Sequence, residues 1–207
     1  RLLRERSIEG DPNTVRAVHA MQRAVAESLQ LGARLPIGTS DEDDDDKSAA
    51  RLASKFLDFL NVLVLKVNSL RPGEVVMLPA GWRTAPKQGE ALLFTLFRAQ
   101  NSYTMAVTNT GAGVEYHPVR HEVTPPKLKR AISLIFEDIP LARLADASWW
   151  YAAYRPMVYP HPSNSAKYLY EVLLPALNAR PLSANALRQD PSIAELMDPR
   201  AGVPAAK

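Results

Sequence analysis

Two apolar runs, Ala91-Leu92-Leu93-Phe94-Thr95-Leu96-Phe97 and Tyr103-Thr104-Met105-Ala106-Val107-Thr108, flank the polar turn Gln100-Asn101-Ser102. Runs of this kind on either side of a polar turn specify an antiparallel hairpin, because a short connection can only fold the second strand back beside the first. This hairpin governs the reading of everything around it. Upstream, Glu74-Val75-Val76-Met77-Leu78 predicts a short strand ended by Pro79 and Gly81, and downstream Ala131-Ile132-Ser133-Leu134-Ile135-Phe136 predicts another after the Pro125-Pro126 break. The strands are therefore clustered in the middle of the chain.

Helical patterns lie on both sides of that block. Asp11-Pro12-Asn13-Thr14 is a helix-start signal, with a polar cap followed by proline in the first turn. Val15, Val18, Met21, Val25 and Leu29 recur at helical spacing and are expected to face the core, with Gly32 ending the helix and Ala33 to Ser40 forming a loop. A second helix is expected from Ser48 to about Leu70. Leu52, Phe56, Leu57, Phe59, Leu60, Leu63, Val64 and Val67 cover most of its circumference, which marks a deeply packed element. Helices resume around Leu141 to Tyr154 and Ser165 to Asn178, where Tyr168, Val172 and Leu173 are expected to pack inward. Helices, then strands, then helices predict an α+β fold with a largely antiparallel sheet flanked by helices.

The expected organisation is an N-terminal helix and loop (1–40), an acidic loop (41–47), an α+β core domain (48–178) and a loosely packed C-terminal tail (179–207). The acidic loop holds the run Asp41-Glu42-Asp43-Asp44-Asp45-Asp46, whose mutual repulsion disfavours regular structure. Setting these six acids aside leaves 16 acids against 25 Lys and Arg, a charge of +9 under a whole-chain net charge of +3. Basic charge of that size attracts RNA or acidic partners at long range, although the Lys and Arg are scattered rather than grouped.

The chain has no cysteine, which excludes disulfides, thiolate metal sites and a cysteine nucleophile within it, and fits a reducing, intracellular (cytoplasmic or organellar) setting. The most apolar stretch, Phe56 to Val67, is too short to span a bilayer and carries Asp58 and Lys66, so no membrane association is expected. The chain opens on Arg1 in the pattern Arg1-Leu2-Leu3-Arg4-Glu5-Arg6 and is read as a piece of a longer polypeptide.

The most distinctive local chemistry follows the hairpin. Gly89-Glu90-Ala91 opens its first strand, and Asn109-Thr110-Gly111-Ala112-Gly113-Val114-Glu115-Tyr116-His117 follows its second. An asparagine at a strand end can orient a neighbouring side chain through its amide. This layout, over Phe56 to Pro118, resembles the C-terminal half of papain-like cysteine peptidases. The resemblance implies that Glu90 stands in the position of the family's general-base histidine. It also implies that Asn109, in Asn109-Thr110-Gly111, stands where the family's imidazole-orienting residue would be. The chain departs from the pattern in having no cysteine and in carrying a glutamate where the base belongs. The resemblance therefore implies a scaffold without its catalytic pair. Asn109 and His117 are the candidate catalytic residues, His117 standing in for the missing base.

Glu115, His117 and His121, with Glu122, form the densest group of metal-capable side chains. Alternate residues of an extended strand share a face, but Pro118 forbids the helical i,i+4 geometry of zinc hydrolases, and no metal is expected. No phosphate-binding or dinucleotide-binding motif occurs, so no cofactor is expected. Tyr116 to Arg120 with Lys127, Lys129 and Arg130 is the best basic segment for RNA. The aromatic group Trp149-Trp150-Tyr151 with Tyr154 predicts helix-on-sheet packing.

The leading expectation is a non-catalytic protein-interaction domain of a larger intracellular protein, on a degenerate papain-like scaffold, with a protein partner. Two alternatives are a deubiquitinase-like cysteine peptidase fragment lacking its nucleophile, and an RNA- or ribosome-associated protein.

Overall fold

The computed structural model describes residues 11–37, 46–123 and 126–187. Helix α1 (Pro12–Gly32) begins as its start signal requires. The Asp11 carboxylate accepts from the Thr14 amide at 3.1 Å and from its hydroxyl at 2.7 Å. Helix α2 (Asp46–Asn68) leads into β1 (Val75–Ala85), β2 (Gln88–Arg98) and β3 (Ser102–Thr108). A separate hairpin of β4 (Val119–Val123) and β5 (Pro126–Arg130) intervenes before β6 (Ser133–Pro140). Helices α3 (Leu141–Ala145) and α4 (Ala147–Val158) follow, then a π-helix (Tyr168–Leu173), a 3-10 turn (Pro175–Leu177) and α5 (Leu182–Leu187). The main sheet has the order β1-β2-β3-β6, every pair antiparallel, with helices packed beside it, so the fold is α+β.

One face of the sheet is sealed. Val76, Leu78, Leu96, Met105, Val107, Leu134 and Phe136 are wholly inaccessible to solvent, at every second position of their strands. Phe56, Phe59, Leu60, Leu63 and Val67 of α2 and Trp149, Trp150, Tyr154 and Val158 of α4 join them in one core, each large side chain contributing roughly 1.5–3 kcal/mol. Aromatic edges knit the two helices together, with the Phe59 and Tyr154 rings 5.0 Å apart. The indoles find carbonyl partners inside: Trp150 donates to Leu144 at 2.9 Å and Trp149 to Leu173 at 3.1 Å. The second bond ties α4 to the C-terminal π-helix.

Several expectations are corrected. Strand β1 does not stop at Pro79 and Gly81. It runs through both to Ala85, because β1 is an edge strand whose Pro79 needs no ladder donor. The β1–β2 turn at Pro86-Lys87 and the β4–β5 pairing were not expected, the second because Pro125-Pro126 reads as a break. Met21, Val25 and Leu29, expected to face the core, are exposed, and α1 instead buries Ala24 and Leu31. Leu57 is also exposed, so α2 buries one face rather than most of its circumference. Tyr168 and Val172 are exposed for a geometric reason. The Leu174 amide donates to Leu169 at 2.9 Å, an i→i+5 bond that widens the turn and brings Leu169 and Tyr170 inward beside Leu173, which is buried as expected. The chain past residue 179 is not loose throughout, since α5 packs on β6 and buries Asn185. Asp41–Asp45 lie outside the described residues, and Asp46 opens α2 rather than a loop.

Candidate functional site

The end of β3 carries the residues singled out from the sequence. The Asn109 amide donates to the Ile132 carbonyl at 2.9 Å, holding this residue against the chain that enters β6. Its side-chain Oδ1 accepts from the Gly111 amide at 2.8 Å, closing a side-chain-capped turn. Its Nδ2 donates to the Ala112 carbonyl at 2.8 Å and to the Tyr170 hydroxyl at 3.1 Å. The turn then passes Gly113, whose φ of 92° lies in the left-handed region. A Cβ there would also stand 2.8 Å from the Tyr170 ring, so the position requires glycine twice over.

A single 3-10 turn (Val114–Tyr116) delivers His117 beneath the same tyrosine. His117 Nδ1 lies 2.9 Å from the Ala131 carbonyl and Nε2 lies 2.8 Å from the Tyr170 hydroxyl. Tyr116 stacks on Tyr170 with centroids 4.9 Å apart and planes within 4°. Its hydroxyl donates to Glu171 at 3.1 Å. Asn109 and His117 are thus brought together, and the group that joins them is Tyr170, from a helix more than fifty residues later in the chain. Asn109, His117 and Tyr170 are 1%, 2% and 0% exposed. Burial makes the His117 ring harder to protonate than an ordinary imidazole and raises the Tyr170 hydroxyl to about 12, against the opposing pull of the Asn109 amide.

Glu90 is placed beside this turn: an added Cβ at Gly111 would stand 2.3 Å from its Oε2, so its carboxylate covers Gly111. Of the metal-capable group, Glu115 accepts from the Gly113 amide at 2.8 Å, and the side chains of His121 and Glu122 lie outside the described residues. Among the described residues no three His, Asp or Glu side chains converge on a common point.

A second region was not expected. An open groove of about 890 Å³ runs between the first turns of α2 (Ser48, Arg51, Leu52, Lys55), the β1–β2 tip (Thr84, Ala85, Pro86) and the end of α4 with Tyr159, Pro160 and Pro162; Pro36 and Ile37 close one side. Its walls are braced from behind. Buried Asn164 holds its Nδ2 within 2.8 Å of the Arg83 carbonyl and 2.9 Å of the Tyr159 carbonyl, and the Phe56 ring meets Tyr159 edge-on at 6.0 Å. Among the described residues Arg51 and Lys55 are the charged side chains that line it, and no imidazole does so. The sequence signal for this groove is its prolines, Pro36 in the expected loop Ala33 to Ser40 and Pro86, Pro160 and Pro162, to which sequence alone assigns no role. Proline spacing does not say which connections meet in space.

No protein-family model, no curated protein and no solved structure matches this chain. No helix among the described residues is long and apolar enough to cross a membrane.

Proposed function

We propose that this chain is a non-catalytic protein-binding domain whose groove takes an extended partner segment carrying apolar and acidic side chains. The observation that carries this reading is the saturation of the two candidate catalytic residues. Every side-chain polar atom of Asn109 and His117 is engaged inside the protein, and both residues are closed to solvent. A general base has to reach the proton it abstracts, and an imidazole with both nitrogens committed to buried partners has no lone pair to offer.

The groove favours binding over chemistry. Ile37, Leu52, Pro86 and Tyr159 offer apolar contact, and a wall rich in proline loses little conformational freedom when a ligand settles on it. Arg51 and Lys55 supply positive charge beside that surface, and among the described residues no acid lines it, which favours an acidic segment.

The test uses the whole chain with two probes. Fluorogenic peptides and a ubiquitin-like substrate should give no turnover above buffer. A fluorescein-labelled library of extended peptides should yield binders rich in Asp or Glu with an apolar anchor, at micromolar affinity, weakened about tenfold in Lys55→Glu. Specific turnover, or selection of basic peptides, overturns the reading.

A further inference from the structure

The hydrogen-bond chain through His117 runs in one direction only. The Ala131 carbonyl has no proton to give, so Nδ1 of His117 carries the hydrogen of their 2.9 Å bond. Nε2 is then the lone pair of the ring, and the Tyr170 hydroxyl donates to it across 2.8 Å. The Tyr170 oxygen in turn accepts from Asn109 Nδ2 at 3.1 Å. The asparagine cannot be reversed to help. A flip would set its oxygen against the Ala112 carbonyl and its amide nitrogen against the Gly111 N–H, losing two 2.8 Å bonds.

This arrangement leaves no place for a second ring proton. A hydrogen on Nε2 would face the hydroxyl hydrogen of Tyr170, and among the described residues that hydrogen has no other acceptor, since Asn109 presents only a donor. We propose that His117 is an acid-sensitive latch, whose protonation breaks the bond to Tyr170 and releases the turn from Asn109 to His117 from the π-helix (Tyr168–Leu173).

The surrounding charges are mixed. Arg130, from the end of β5, donates to the backbone carbonyls of both Glu115 and His117 and opposes a second cation there. Glu115, on the 3-10 turn, favours one. On the π-helix side Glu171 is engaged by Tyr116 and lies 3.9 Å from Lys167, and on β2 the Glu90 carboxylate covers Gly111. Burial outweighs the rest, and the ring takes a proton less readily in the closed state than an open imidazole does.

The sign follows from that direction. The open state binds the extra proton, so opening is driven as pH falls below about 6.5, the ordinary imidazole value, by about tenfold for each further pH unit until the closed state itself protonates. Above that value the latch is fully in place. The Tyr116–Tyr170 stack and the Tyr116–Glu171 bond are the contacts that the opening would then disengage.

Hydrogen exchange of the whole chain from pH 7.5 to 5.0, corrected for intrinsic rates, tests this. Residues 109–117 and 168–174 should lose protection about tenfold per pH unit below ~6.5, while β2 and β3 keep theirs. His117→Gln, which does not titrate, should flatten that dependence. Protection that is independent of pH, or acid-driven loss that persists in His117→Gln, overturns the proposal. Should His117→Gln not fold, the ring of His117 is titrated by NMR in the native chain. A midpoint below ~6.5, coincident with the exchange change, supports the latch, and one at or above ~6.5 overturns it.

Discussion

The cluster at the end of β3 and the groove beside the start of α2 are built from opposite materials. The first is polar and closed: three side chains almost wholly inaccessible, each donor matched to an acceptor. The second is largely apolar and open, with its polar bracing hidden behind the wall at Asn164. A buried polar network is stable only when every member is satisfied, and once satisfied it fixes one geometry. The comparison teaches that the residues most suggestive of chemistry in the sequence are those the fold uses to hold itself together. The open groove lies among prolines and short connections.

The contrast is broken most severely at Gly113. Gly113→Ala combines a left-handed backbone with a methyl 2.8 Å from the Tyr170 ring, and is expected to lower unfolding stability by about 3 kcal/mol. An unfolding free energy from urea curves within ~1 kcal/mol of the parent would show that the turn and the π-helix are not packed as described. Asn109→Ala comes next, at about 2–3 kcal/mol. It leaves the Gly111 N–H and the Ala112 carbonyl without their partner and takes one bond from Tyr170. Its loss should be strongly non-additive with that of Tyr170→Phe, and simple additivity in a double-mutant cycle would dissolve the network into independent bonds.

The groove should answer differently. Lys55→Glu is expected to stay within ~0.5 kcal/mol of the parent in stability while weakening an acidic peptide, because an exposed charge contributes little to folding. The smallest effect sharpens the idea of satisfaction. The Tyr154 hydroxyl is buried in the core with no hydrogen-bond partner among the described residues, and burial drives its pKa far upward. Tyr154→Phe is expected to leave stability unchanged or raise it by about 1 kcal/mol, read from the same urea curves.

The central hairpin was legible because two apolar runs flank a polar turn; Leu93 does pair with Thr108 and Arg98 with Tyr103. Helix α1 was legible at its ends but not on its faces, since spacing alone cannot distinguish an apolar stripe that meets the sheet from one that does not. Strand β1 was cut short because Pro79 forbids a central strand but not an edge, and edge position is a property of the assembled sheet. At the site, Asn109 at a strand end and His117 in the same Gly-rich stretch could be read directly. Tyr170 could not. Its approach depends on a π-helix that displaces the inward face by part of a turn, and on a non-local contact that periodicity does not encode.

The measurement closest to the central claim is the tautomer of His117 at neutral pH, read from the ring nitrogens by long-range 1H–15N NMR. The account predicts a neutral ring with hydrogen on Nδ1 and a hydrogen-bonded lone pair on Nε2 facing Tyr170. A ring with hydrogen on Nε2, or one averaging between tautomers as free imidazole does, would contradict it and return His117 to the residues able to move a proton.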